Sequence, residues 1–106
     1  MAEALEVWPI NSDAKVLITG ISDDQGNYIN NATIVGVMKD ANGIEIVNAD
    51  NIAFTLVPDS NGDYVGIVPH NADLLNGRKF TLEITITSGT IQCVILVTRI
   101  AKYDTI

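Results

Sequence analysis

The sequence has 106 residues, of which 47% are hydrophobic and 18% charged, and its formal net charge is −7. This length suits one domain and is too short for two, and the composition excludes a disordered chain. Nucleic acid is disfavoured as a direct partner, because phosphate binding needs clustered lysine and arginine. A membrane span is also excluded, since no apolar run reaches the roughly 20 residues that cross a bilayer.

The charges are unevenly distributed and the chain has a single cysteine, Cys93. Residues 1–77 carry 11 acidic and 2 basic side chains, whereas residues 78–106 carry 2 acidic and 4 basic ones. One cysteine allows no internal disulfide, which suits a reducing compartment or a virus particle. Glu3 and Glu6 stand where a secretory signal would need cationic residues, so we expect no signal peptide.

Residues 1–13 are predicted to form an N-terminal arm, because Pro9 interrupts a helix or a central strand. The arm carries four apolar residues suited to a contact: Leu5, Val7, Trp8 and Ile10. Two alternatives follow from this pattern. Either the arm folds back onto its own domain, or it reaches a neighbouring subunit.

Residues 14–106 are predicted to form one domain, in which clusters of Asn, Asp and Gly separate seven short strands. The predicted strands span residues 14–21, 32–39, 44–47, 51–57, 64–68, 79–87 and 91–103. This rhythm predicts an all-β fold, a single seven-stranded antiparallel sandwich. Strand 79–87 alternates apolar and polar residues, which indicates one buried and one wet face. In strand 91–103 the alternation fails, so this strand has either two dry faces or an exposed contact face.

No pattern in the chain points to catalysis, a metal or a cofactor. His70 is the only histidine and lacks the companions that a triad or a zinc site needs. Cys93 lies in an apolar run and is predicted to be buried as a small hydrophobic residue. The segment Asp59–Asp63 is rich in oxygen ligands, but its Gly62 falls at position 4 instead of position 6 of a calcium loop, which favours a hairpin turn. We therefore expect a non-enzyme.

The order of turn and strand motifs resembles the immunoglobulin-like sandwiches of the prealbumin and carboxypeptidase-regulatory kind, over about residues 15–100. The motifs that carry this resemblance are Ser22–Gly26, Asn31–Ile34, Asp40–Gly43, Gly62–Pro69 and Leu75–Ile84. Small acidic chains with this pattern also resemble accessory head proteins of tailed bacteriophages, including capsid decoration or cement proteins. The Cys-Trp-Cys signature of antibody domains is absent.

The phage resemblance implies a structural protein of the virion, assembled in the host cytoplasm, that binds neighbouring capsid subunits or other copies of itself. The residues expected to bind such protein partners are Leu5, Val7, Trp8, Ile10, Val94, Leu96 and Tyr103. The alternative is a free-standing immunoglobulin-like module whose loops bind a sugar, a peptide or a cell-surface ligand. Tyr28 is the main loop aromatic available for that role.

Overall fold

The computed structural model describes residues 7–103 of the chain. Seven strands and no helix occur within these residues. The strands are β1 (Val7–Ile10), β2 (Ala14–Ile18), β3 (Thr33–Asp40), β4 (Ile52–Leu56), β5 (Tyr64–Val68), β6 (Lys79–Ser88) and β7 (Ile91–Tyr103). The predicted all-β class is thereby confirmed.

All seven strands belong to one sheet in the order β1-β7-β6-β3-β4-β5-β2, which curls into a nearly closed barrel-like shape. Neighbouring strands are antiparallel with one exception: β1 runs parallel to β7, from the pair Val7↔Ile100 to the pair Ile10↔Tyr103. The sheet is therefore mixed, and the expectation of antiparallel strands throughout is wrong at this one pair.

The second half of the predicted arm folds back onto the domain as β1. Trp8 is fully buried, and its indole Nε1–H donates a hydrogen bond to the carbonyl oxygen of Phe80 at 2.9 Å. The guanidinium of Arg99 lies 4.7 Å from the centre of the Trp8 ring, within the range of a cation–π contact. For Val7–Ile10 the first of the two alternatives is therefore the observed one, whereas Leu5 lies outside the described residues.

The strand predicted over residues 44–47 does not form, and this segment is a wide loop attached to β3 by a few hydrogen bonds. Both Asn42 and Ile44 donate their backbone N–H groups to the Oδ1 atom of Asp40, at 2.8 and 3.0 Å. The carboxylate of Asp40 thus accepts backbone N–H groups that would, in a strand, bond to a neighbouring strand. Ile46 anchors the loop, because its N–H bonds to the carbonyl of Met38 and its side chain is buried.

Strand β6 supplies the centre of the core, as its alternating pattern predicts. The core side chains come from both halves of the curled sheet and from two loops, and the largest fully buried ones are Trp8, Tyr64, Met38, Leu82, Ile84 and Val68. Leu74, in the turn segment between β5 and β6, is also buried and belongs to this core.

Candidate interaction surface

Exposed apolar side chains follow the outer side of β7 and are interrupted there by Thr98. The exposed fractions of Val94, Leu96 and Ile100 are 51%, 63% and 37%. On β6, Thr85 lies opposite Val94 and Glu83 lies opposite Leu96. Residues directly opposite each other on neighbouring strands share a face of the sheet. The apolar row of β7 is therefore bordered by a row of polar side chains on β6.

Strand β3 continues this surface beyond β6 with two half-buried valines, Val35 and Val37. They lie opposite Thr85 and Glu83, so the apolar residues of β3 and β7 flank the polar row on both sides. The carboxylate of Glu83 lies 3.3 Å from the ammonium group of Lys39, which offsets its charge. We call this surface, made of Val35, Val37, Val94, Leu96 and Ile100, the outer face.

The structure divides the predicted partner-binding residues into two groups. Those with a large exposed fraction are Val94, Leu96 and Tyr103, whereas Val7 is half-buried and Trp8 and Ile10 are core residues. The placement of Trp8 and Ile10 on a contact surface is thereby corrected, because β1 pairs with β7 and turns both side chains inward. Of the predicted contact surface, the part on β7 is accessible.

Cys93 is exposed, which contradicts its prediction as a buried residue. The side chains of Cys93 and Ile95 point to the inner side of β7, the side that also carries the buried Ala101. The barrel does not close over the beginning of β7, so Ile91 and Cys93 are left open while Ile95 and Val97 are half-buried. The first residues of this apolar run, at the start of β7, are therefore exposed on both sides of the strand and not buried on both sides.

His70 contacts Asp13. This contact lies at the end of the β2–β5 pair where β2 begins and β5 ends. Its backbone N–H donates to Asp13 Oδ1 at 2.7 Å, and its ring Nδ1 lies 3.0 Å from the same oxygen. Both side chains are largely exposed. The side-chain hydrogen bond of His70, followed by its backbone N–H, lowers the pKa of Asp13 below its usual value of 3.8. This contact joins the residue before β2 to the end of β5.

We expect the substitution Asp13→Asn to cause a small loss of stability at pH 7 that disappears in acid. The folded protein lowers the pKa of Asp13, so the ionised carboxylate stabilises the folded state above pH 3.8. That contribution is lost as the pH falls through the lowered pKa. Urea unfolding of both proteins at pH 7 and at about pH 2.5 checks this expectation, since asparagine keeps an acceptor oxygen and removes only the charge. A difference in stability that grows in acid would contradict it.

The acidic loops use their carboxylates to accept hydrogen bonds from backbone N–H groups. Asp23 Oδ1 accepts the backbone N–H groups of Gln25 and Asn27, each at 2.9 Å, and these bonds, with that of Asn27 foremost, lower the pKa of Asp23. Asp63 Oδ1 accepts the N–H of Gly20 at 3.0 Å. Within residues 7–103 no group of three or more His, Cys, Asp or Glu side chains has the geometry of a metal site.

A groove of about 340 Å³ lies between the loop after β3 and the start of β6. Its exposed apolar side chains are those of Ile44, Val47 and Leu75, whose exposed fractions are 62%, 63% and 55%. Arg78 and Asp73 supply charges of opposite sign at its walls. Sequence reasoning missed this groove because it assigned Ile44 and Val47 to a strand. No local signal distinguished this segment from a strand, because the preceding turn Asn42–Gly43 is also typical of a hairpin.

Comparison with known protein families, with curated proteins and with solved structures finds no match to this chain. In the described part of the chain, no helix has the length and apolar character needed to cross a membrane.

Proposed function

We propose that this protein is a non-enzymatic structural subunit that attaches to neighbouring proteins of a larger assembly through its outer face. The observation that carries this proposal is the exposure of Val94 and Leu96 on a regular strand, where half or more of each side chain meets solvent. Val94 and Leu96 are neighbours on the same side of β7, and adjoining exposed apolar side chains favour an interaction site. A partner that covers them gains about 25 cal/mol for each Å² of apolar surface removed from water.

The charges around the outer face indicate what such a partner presents. At the centre, Lys39 offsets the charge of Glu83. An apolar partner surface can therefore cover this region without supplying a positive charge to compensate Glu83. Arg78, Lys79 and Lys102 are exposed near the end of β7 where Lys79 lies opposite Ile100. Electrostatic complementarity therefore favours a partner with an apolar centre and acidic groups at this end.

The concrete form of this role is that of a decoration or cement protein on the capsid of a tailed phage, bound to neighbouring capsid subunits and located in the virion. This form is supported by the resemblance of the turn and strand motifs to such proteins. A regular lattice would also multiply a modest contact, since many copies bind side by side.

We further infer an immunoglobulin-like sandwich, in which the two halves of the curled sheet face each other as two layers. In this arrangement β1, β7, β6 and β3 form one layer and β5 and β2 the other, with β4 pairing to both β3 and β5. The support is the mixed origin of the core, where Trp8 and Leu82 of one half and Tyr64 and Val16 of the other belong to one buried cluster. An experimental structure tests this assignment.

The role in an assembly is tested by the substitution Leu96→Lys in the full-length protein, expressed with a tag in the organism that encodes it. A lysine in a covered apolar contact is expected to reduce co-sedimentation with large particles at least tenfold, which corresponds to about 1.4 kcal/mol. The matched control is Ile67→Lys, which places the same charge at a site on β5 that is 48% exposed. Wild-type protein found only as a free 11.4 kDa monomer would overturn the proposal.

A free-standing ligand-binding module is the second candidate, and the groove beside Ile44 favours it. Its volume of about 340 Å³ lies within the range of small-molecule sites, roughly 300–1,000 Å³. Under this alternative, the substitution Leu75→Lys would abolish binding of a sugar or peptide ligand while Leu96→Lys would leave it unchanged. Binding of such probes followed by NMR shifts separates the two roles.

A further inference from the structure

Among the described residues, strand β7 has an open edge along most of its length. On one side it pairs with β6 from Ile91 to Ile100, and on the other side β1 pairs only with its last residues, Ile100–Tyr103. Among residues 7–103, no strand pairs with the segment Ile91–Thr98 on that second side. An exposed strand edge is a template for pairing with another chain.

The backbone groups at this edge can be assigned from the pairing with β6. Ala101 donates its N–H to the carbonyl of Arg78 at 2.9 Å and accepts the N–H of Gly77 at 2.8 Å, so both of its groups point toward the β6 side. The register between β6 and β7 has no break, and in an antiparallel pair the direction alternates with each residue. The residues whose N–H and C=O groups point to the open edge are therefore Gln92, Val94, Leu96 and Thr98.

Between Gln92 and Thr98, the side chains next to this edge are apolar on both sides of the sheet and carry no charge. Val94 and Leu96 lie on the outer face, whereas Cys93 and Ile95 lie on the inner side. A cleft of about 250 Å³ opens beside the inner side. Its lining combines Gly20, Ser22 and Ser88 with the apolar side chains of Ile21, Ile29, Ile86, Ile91, Cys93 and Ile95. An added strand would therefore find backbone partners at the edge and apolar surface above and below it.

We propose that the occupant of this edge is the β7 strand of a second copy of the chain, paired antiparallel about a twofold axis at Ile95. Edge-directed residues must face each other in such a pair. With the axis at Ile95, Val94 lies opposite the partner's Leu96, and Gln92 lies opposite the partner's Thr98. This register pairs all four edge-directed residues, and it joins the outer faces of the two copies into one surface.

Two features favour a second copy over an unrelated strand, and a third defines the register. The segment Ile91–Thr98 is uncharged, so antiparallel self-pairing brings no like charges together despite the net charge of −7. Its apolar residues complement themselves, since Val94 meets the partner's Leu96 on one side and Cys93 meets the partner's Val97 on the other. Finally, β1 occupies the edge from Ile100 onward, which limits how far the partner strand slides and so defines the register.

The substitution Ile95→Cys in a Cys93→Ser background tests this dimer directly in the full-length protein. On the axis, Ile95 and its symmetry mate form a non-hydrogen-bonded pair with a Cα–Cα distance of about 4.5 Å, which lies within the range that a disulfide spans. We expect mild oxidation to convert most of the protein into a covalent dimer. The control Ile67→Cys in the same background should remain largely monomeric. Equal crosslinking of the two variants would overturn the proposal.

Light scattering of the wild-type protein should show a mass that rises from 11.4 kDa toward twice that value as concentration increases. A constant monomer mass up to about 1 mM, where an interaction of even about 4 kcal/mol would be visible, would contradict the dimer. This outcome is independent of the proposed function, because attachment to an assembly needs the outer face and does not need a paired edge.

A charge pair tests the register. The double substitution Val94→Lys and Leu96→Lys places like charges opposite each other and should weaken dimerisation at least tenfold. The double substitution Val94→Glu and Leu96→Lys places opposite charges across the axis twice and should restore it. Both variants alter exposed side chains, so circular dichroism is expected to show the wild-type fold. Equal dimerisation of the two variants would exclude the register.

Discussion

Replacing Trp8 by alanine is expected to lower the free energy of unfolding by about 3–5 kcal/mol, the usual cost of removing a buried large aromatic side chain. Trp8 is fully buried, and its removal also leaves the carbonyl of Phe80 without its indole donor. The Arg99 guanidinium loses its aromatic partner in the same step. For a domain of this size the midpoint of thermal unfolding should fall by roughly 4–8 °C for each kcal/mol lost.

Two further variants separate the contribution of the indole hydrogen bond from that of apolar burial and provide an exposed aromatic control. Trp8→Phe retains much of the apolar contact but cannot donate to Phe80, so its loss of stability should be smaller than that of Trp8→Ala. Tyr28→Ala removes an aromatic residue that is 58% exposed and should change the stability by about 0.5 kcal/mol or less. Urea unfolding followed by circular dichroism measures all three, because Trp8 is the only tryptophan of the chain and two of the variants lack it. A loss below about 1 kcal/mol for Trp8→Ala would show that β1 is not an integral part of the fold.

Replacing Gly62 by alanine is expected to be the most damaging of the glycine substitutions. Gly62 has a φ of +74°, and a Cβ atom there would lie 2.5 Å from the carbonyl oxygen and 2.8 Å from the nitrogen of Ile21. Both are backbone atoms, and Ile21 also donates its N–H to the carbonyl of Gly62. The alanine therefore costs about 1–2 kcal/mol for the left-handed backbone and about 1–3 kcal/mol more for the overlap.

Gly43 provides the matched control, since its φ of +80° is similar and no atom lies within 4 Å of the Cβ position. Gly43→Ala should therefore show only the cost of the backbone conformation. The difference between the two free energies of unfolding isolates the overlap with Ile21. If both substitutions cost the same, the close contact between the loop before β5 and the segment after β2 is not maintained in solution.

Much of the strand layout could be predicted from periodicity and turn residues. The bounds of β5 and β7 match the prediction, and β6 buries the four residues Phe80, Leu82, Ile84 and Ile86 that its alternation indicated. These features depend on local sequence alone. The alternation of apolar and polar residues indicates which side chains share a face of the sheet. Pro69 marks the end of β5.

The position of β1 could not be predicted, because it depends on a partner far away in the sequence. Pro9 argued against a central strand, but β1 lies at the edge of the sheet, where proline is tolerated. The burial of Trp8 follows from this pairing and has no local signal. The reverse holds for Cys93, whose apolar neighbours suggested burial although the barrel leaves that end of β7 open.

The accessible part of the contact surface was predictable in outline. Failed alternation in β7 indicated either burial on both faces or an exposed apolar face, and Val94 and Leu96 are exposed. The contribution of Val35 and Val37 to the same surface depends on the register β3–β6–β7, which a single sequence does not reveal. The open backbone edge likewise depends on how few residues of β7 are paired with β1.

The parallel pairing of β1 with β7 has a mechanical consequence. A force that pulls Val7 and Tyr103 apart acts along the two strands and in opposite directions, so it loads the ladder between them in shear. All its hydrogen bonds then resist together, whereas a hairpin pulled from its open end would separate one bond at a time. Tension on the two ends of the domain is therefore borne first by this short ladder, before any strand within the barrel is loaded.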